Sequence, residues 1–187
     1  MLPPGGAEVD IAVLFADVRG STELGEGMGA SAFAAMLNRF YETATHALLA
    51  HKAMIDKMVG DEVMALYIQG PTGPDYRKAA VLSAAELMRA MGYGKGEPWL
   101  PIGIGVHAGP AYVGKIGTSE IHDFTALGDT VNTAARLQAE ARPGEVIISE
   151  ELYADVASRF PDLERRSIEV KGKAEPIAVR VLHAAEA

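Results

Sequence analysis

Ile11-Ala12-Val13-Leu14-Phe15 is an unbroken apolar run rich in β-formers, which predicts a strand buried on both faces. The run stops at Asp17 and reaches Gly20-Ser21-Thr22, where turn residues gather. From Ser31 to about Ala50, apolar residues at Phe33, Met36, Leu37, Phe40, Tyr41 and Leu48 recur at helical spacing behind Ser31 as the cap. Between Ala53 and Tyr67, two β-rich runs flank Val59-Gly60-Asp61-Glu62, the pattern of a hairpin whose turn Gly60 permits. After the turn residues 71–74, Tyr76 to Met91 read as a second amphipathic helix closed by Gly92. Leu100 to Pro110 read as a strand with glycines at alternate positions, where a neighbouring group comes close. The remainder predicts a strand through Ile121–Thr125 and a helix from Gly128 with Asp129 as its cap. A strand at Glu145–Ser149, a helix near Glu150–Ala157, and strands at Arg166–Val170 and Ile177–Leu182 follow.

The 187 residues, 49% of them hydrophobic, suffice for one domain with a sizeable core. Seventeen Lys and Arg against 25 Asp and Glu give a net charge of −8, which argues against broad adhesion to nucleic acid or anionic membrane. Any anionic ligand must therefore be held by a local site. The absence of cysteine excludes disulfides, thiolate metal sites and cysteine nucleophiles. The opening Met1-Leu2-Pro3-Pro4-Gly5-Gly6 lacks the basic start and apolar run of a signal peptide, and no apolar run approaches membrane-spanning length. Residues 1–7 are expected to be a linker or chain edge, beyond which a regulatory domain is expected, and residues 8–187 a single domain. A cytoplasmic location without membrane insertion or nucleic-acid partner is the expectation.

Two acids stand where chemistry is easiest to imagine. An ionised Asp17 at the mouth of a core strand needs a cation or several donors, although capping the following turn would equally explain it. Asp61, at the hairpin tip, is either turn chemistry or a second carboxylate that joins Asp17 around hard cations, which prefer oxygen ligands. The small residues Gly20, Ser21 and Thr22 would let backbone N–H groups approach phosphate. Asn132 and Arg136, four apart, share one helical face and suit ribose and phosphate oxygens, while Lys171-Gly172-Lys173 is a basic turn, solvated or anion-contacting. Gly109 to Lys115 imitates a phosphate-binding P-loop, but Ile116 replaces its Ser or Thr and the context reads as strand. Gly103, Gly105 and Ala108 imitate a dinucleotide fingerprint and lack the following helix. His46 and His51 read as surface residues and His107 as a satisfied strand histidine, so no histidine is placed as a general base.

Together these motifs resemble the catalytic domain of the class III nucleotidyl cyclases, over Ile11 to about Leu182. Phe15-Ala16-Asp17-Val18-Arg19-Gly20-Ser21-Thr22 resembles the family's first metal motif and Lys57-Met58-Val59-Gly60-Asp61-Glu62 its second. Leu127 to Arg136 resembles its transition-state helix, and Val170-Lys171-Gly172-Lys173 its phosphate loop. The resemblance implies an α+β fold, a ferredoxin-like βαββαβ core with added strands, working as a head-to-tail homodimer on ATP with two Mg2+ or Mn2+ ions per site. Asp17, the Val18 carbonyl and Asp61 would hold the ions, and Lys57 and Thr125 would read the base. Asn132 would orient the ribose, Arg136 would face the α-phosphate, and Lys171, or as second choice Lys173, would touch the terminal phosphates. Thr125 stands where many adenylyl cyclases carry aspartate, which is similar to a bacterial subgroup allied to bicarbonate-responsive cyclases. Lysine offers only donors, so Lys57 suits the adenine ring nitrogen and opposes guanine's ring N–H, whereas Thr125 can donate or accept. Adenylyl cyclase activity is thus the expectation, with guanylyl cyclase activity and a silent nucleotide-binding regulatory module as the alternatives.

Overall fold

The computed structural model describes residues 5–187, so residues 1–4 of the expected linker lie outside the described residues. The first strand, β1 (Gly6–Val18), begins inside that expected linker and is more than twice as long as its apolar run. It is followed by a short helix, α1 (Ser21–Gly27), and by α2 (Ala30–Leu49), β2 (Met54–Val59), β3 (Glu62–Ile68), α3 (Gln69–Thr72) and α4 (Tyr76–Ala90). The chain continues through β4 (Ile102–Gly117), β5 (His122–Leu127), α5 (Asp129–Glu140), β6 (Glu145–Ser149), α6 (Glu150–Tyr153), β7 (Glu164–Ile168) and β8 (Ile177–His183).

All eight strands form one sheet in the order β2-β3-β1-β4-β6-β8-β7, with β5 pairing to β4. Its first four strands, antiparallel at every step, are the ferredoxin-like core; β6 then joins parallel to β4. β1 is hydrogen-bonded on both edges, to β3 and β4. Its alternate residues Ala12, Leu14 and Ala16 pack with Phe40 and Leu48 of α2 and Val81 and Met88 of α4. Ile11, Val13 and Phe15 pack on the opposite face with Met64, Val113 and Ala134, the last from α5. Coverage of both faces is why this strand reads as continuous apolar sequence rather than as alternation.

Helix boundaries differ from expectation at their starts. α2 opens after Gly29, so Ser31 lies inside the first turn and does not cap it, and α5 opens after Gly128, so Asp129 is not the cap. The Asp129 carboxylate accepts instead from Lys173 Nζ at 2.7 Å, while its charge in the first turn still complements the helix dipole. Residues 154–157 do not continue α6, and β7 starts two residues earlier than the pattern predicts. The imitation P-loop is interior strand, since β4 runs from Ile102 to Gly117 without opening a helix. No helix among the described residues is long and apolar enough to cross a membrane.

Candidate active site

The two acids converge because strand pairing brings their supports together. Asp17, next to the end of β1, lies opposite Glu62 of β3, and the Val18 amide donates to the Asp61 carbonyl at 3.1 Å. Gly60, at φ 59°, makes the left-handed step that turns β2 into β3 and sets Asp61 at the tip. The Tyr41 hydroxyl of α2 donates to the Gly60 carbonyl and so braces this turn from the helical side.

The charges in this corner are poorly matched. Burial, then the neighbouring Asp61 and Glu62, push the Asp17 carboxyl up to about 7, with Arg19 opposing them. Glu62 is raised as well, by burial first and Asp61 second. Arg19 cannot fully compensate: burial lowers its own pKa, and its guanidinium reaches away to the Gln138 carbonyl of α5. A buried Asp17 oxygen, Oδ1, has no hydrogen-bond partner. An orphaned carboxylate oxygen beside a second carboxylate fits a hard divalent cation, for which oxygen ligands are preferred. The available set is two aspartates with main-chain oxygens; no cluster of three or more His, Cys, Asp or Glu suited to a metal occurs among the described residues.

Gly20, Ser21 and Thr22 form the turn that opens a helix. Gly20 takes a left-handed conformation, φ 70°, and Ser21 and Thr22 start α1; the two side chains line a shallow cavity shared with Gly60 and Asp61. The expected base readers do meet: Lys57 Nζ donates to Thr125 Oγ1 at 2.8 Å, although the residues are 68 positions apart. Asp56, which sequence reasoning missed, joins them by accepting from Lys57 Nζ at 3.1 Å and from Thr125 Oγ1 at 2.9 Å. Its only sequence signal was an acid beside Lys57.

α5 supplies the remaining candidates. Thr130, Thr133, Ala134 and Leu137 are buried against the sheet, leaving Asn132 and Arg136 exposed on the other face. The helix lies so close that a methyl at Gly105 would run into the backbone at Ala134 and Gln138, which explains a glycine inside a core strand. No hydrogen bond or ion pair joins Asn132 or Arg136 to Asp17 or Asp61 among the described residues. Lys171 is exposed, whereas Lys173 is engaged by Asp129. His107 matches its expectation, with Nδ1 on Ser149 Oγ at 2.8 Å and burial lowering its pKa.

Comparison with known proteins identifies the family and the fold. Residues 7–183 match the family model described as the adenylate and guanylate cyclase catalytic domain. An adenylate cyclase of Anabaena cylindrica is 31% identical over 177 residues, which cover 89% of this chain and 35% of that protein. The chain thus spans about a third of the length of that relative. Among solved structures, the adenylyl cyclase CyaB from P. aeruginosa superposes with a TM-score of 0.83 at 29% identity, over 95% of both chains. The guanylyl cyclase Cya2, at 24% identity and TM-score 0.82 over 95% of this chain and 93% of that one, shares the fold.

Proposed function

The chain belongs to the adenylate and guanylate cyclase catalytic-domain family, and from that premise we propose that it is an adenylyl cyclase converting ATP to 3′,5′-cyclic AMP and pyrophosphate. The observation that carries the proposal is the convergence of Asp17 and Asp61 around an orphaned carboxylate oxygen, with too little positive charge nearby. Asp17, Asp61 and the Val18 carbonyl would hold two Mg2+ or Mn2+ ions. Such ions lower the pKa of the ribose 3′-hydroxyl and neutralise the triphosphate.

The chain's own residues would do the rest. O3′ attacks the α-phosphorus in line, the bond from that phosphorus to the bridging β-phosphate oxygen breaks, and the hydroxyl proton leaves to solvent or a phosphate oxygen. Asn132 holds the ribose in attack geometry, and Arg136 meets charge growing on the α-phosphoryl oxygens. Lys171 is the better candidate for the departing pyrophosphate, because Lys173 is already paired with Asp129. Gly20, Ser21 and Thr22 flank the same corner and supply amides for phosphate oxygens. Lys57 and Thr125 read adenine.

A homodimer completes the site in this reading, the acids of one protomer facing Asn132 and Arg136 of its partner. Two features support it. Asn132 and Arg136 are exposed and unlinked to the acids of their own chain. The hairpin of β4 and β5 exposes the apolar side chains of Ile116, Ile121, Phe124 and Leu127, with Ile121 81% accessible, and Val59 at the end of β2 is 66% accessible, apolar surface that a partner protomer would cover. We place the catalytic unit at residues 8–187, with any regulatory domain outside it.

The test is turnover of ATP and GTP by the purified domain with Mn2+ or Mg2+. Cyclic AMP formation that falls at least several-fold in Lys57→Glu, through loss of one base hydrogen bond, is the expected result. Absence of cyclic AMP, or a preference for GTP, would overturn the proposal.

A further inference from the structure

Asp56 and Lys57 are consecutive, and in a regular strand consecutive side chains face opposite sides. In β2 they do not. Ile55 pairs with Ala65 of β3 and Lys57 with Met64, leaving Asp56 as an extra residue with no partner, a β-bulge. Bulges re-aim side chains, and this one lets two neighbours reach the same hydroxyl, Thr125 Oγ1.

The hydrogens in this triad can be counted. Thr125 has one hydroxyl hydrogen, and it goes to Asp56 Oδ2 at 2.9 Å. One Thr125 lone pair receives Lys57 Nζ at 2.8 Å, so what remains on that oxygen is a second lone pair, an acceptor. Lys57 has three N–H bonds; one meets Thr125, one meets Asp56 at 3.1 Å, and the third is left as a donor. The triad therefore offers one donor beside one acceptor. Adenine's edge carries the complement, the ring nitrogen N1 as acceptor and the 6-amino group as donor. Guanine presents N1–H to the lysine donor and O6 to the threonine lone pair, a mismatch at both positions.

We propose that Asp56 is a specificity-determining positioning residue: by taking the Thr125 hydrogen, it turns an ambivalent hydroxyl into an obligate acceptor and so selects adenine over guanine. Its side chain is 2% accessible, against 45% for Lys57, so it acts through Thr125 and Lys57 and does not touch the base. The inference rests on the adenylyl cyclase reading and deepens it.

The test is the ratio of kcat/KM for ATP to that for GTP, read as cyclic AMP and cyclic GMP. In Asp56→Ala the Thr125 hydroxyl is free to donate to guanine O6, and the ratio is expected to fall at least about tenfold. Asp56→Ser, which keeps a polar group in the pocket but can itself donate, gives the same direction and serves if alanine prevents folding. Asp56→Asn keeps an acceptor oxygen for the Thr125 hydroxyl and is expected to hold the ratio within about threefold of wild type. With Thr125→Val already in place, Asp56→Ala should change the ratio no further. A merely structural role lowers both activities together, so an unchanged ratio in Asp56→Ala and Asp56→Ser overturns the inference while leaving an ATP-preferring enzyme intact. A wild-type domain that does not prefer ATP overturns the proposed function, and this inference with it.

Discussion

At one end of the sheet Asp17 faces Asp61 and Glu62 with only a turned-away Arg19 to oppose them; at the other, Glu145 and Glu164 are both gripped by Arg166. Arg166 meets Glu145 through two parallel hydrogen bonds of 2.9 and 3.0 Å, and the Arg142 amide adds a third at 2.9 Å. His183 lies 2.7 Å from the far oxygen of Glu164. The two corners bury comparable carboxylates with opposite outcomes. Burial pushes Glu145 upward, but the hydrogen bonds from Arg166 and Arg142 outweigh it and hold its pKa below the usual glutamate value, whereas Asp17 climbs to about 7. Matched charge of the first kind serves the fold. Unmatched charge of the second kind fits the proposed site, in which a cation comes from outside.

Removing an acid from the unmatched corner should separate function from stability most sharply. Asp17→Asn or Asp61→Asn is expected to lower turnover by about a hundredfold to a thousandfold or more, because the ions lose a ligand where charge develops. Thermal unfolding of the metal-free protein should show no loss of stability, since a like-charge contact has been relieved.

The matched corner predicts the converse. Arg166→Ala strands the Glu145 carboxylate, whose side chain is 5% accessible, and should cost about 2–3 kcal/mol in urea unfolding. Turnover per folded molecule should stay at the wild-type value.

A smaller effect lies in the pH dependence. A carboxyl raised from 3.8 to about 7 holds its proton more tightly folded than unfolded. Its contribution to stability is therefore full below about pH 4 and is lost as the pH rises toward 7. Metal-free wild type should lose stability relative to Asp17→Asn across that window. Adding Mn2+ should raise the melting temperature of the wild type increasingly from pH 5 to 8 and barely move that of the variant.

How much of this could be read in advance depended on how local the cause was. The Ile11–Phe15 strand, the hairpin around Gly60 and the amphipathic α5 were legible because two-sided burial, a positive φ and helical spacing each leave a direct mark on residue type. The convergence of Asp17 with Asp61, and of Lys57 with Thr125, followed from the resemblance of the motifs and not from periodicity, for strand register is set by partners far along the chain. The role of Asp56 was hidden for the same reason: a bulge is a mismatch between two strands, and neither strand alone records it. Ser31 and Asp129 failed as caps because glycines one or two positions earlier already turn the chain into the helix, freeing Asp129 for Lys173. The extension of β4 beyond Pro110 to Gly117 was likewise unreadable locally, since it depends on pairing with β1 and β5.

The central claim is that the acid corner of one protomer works against Asn132 and Arg136 of another, and complementation measures it directly. Asp17→Asn and Arg136→Ala chains should each be inactive alone. Co-expressed, they should form mixed dimers in which one of two sites is intact, restoring about a quarter of wild-type turnover if subunits associate at random. Mixed dimers that remain as inactive as either parent would contradict a site shared between protomers.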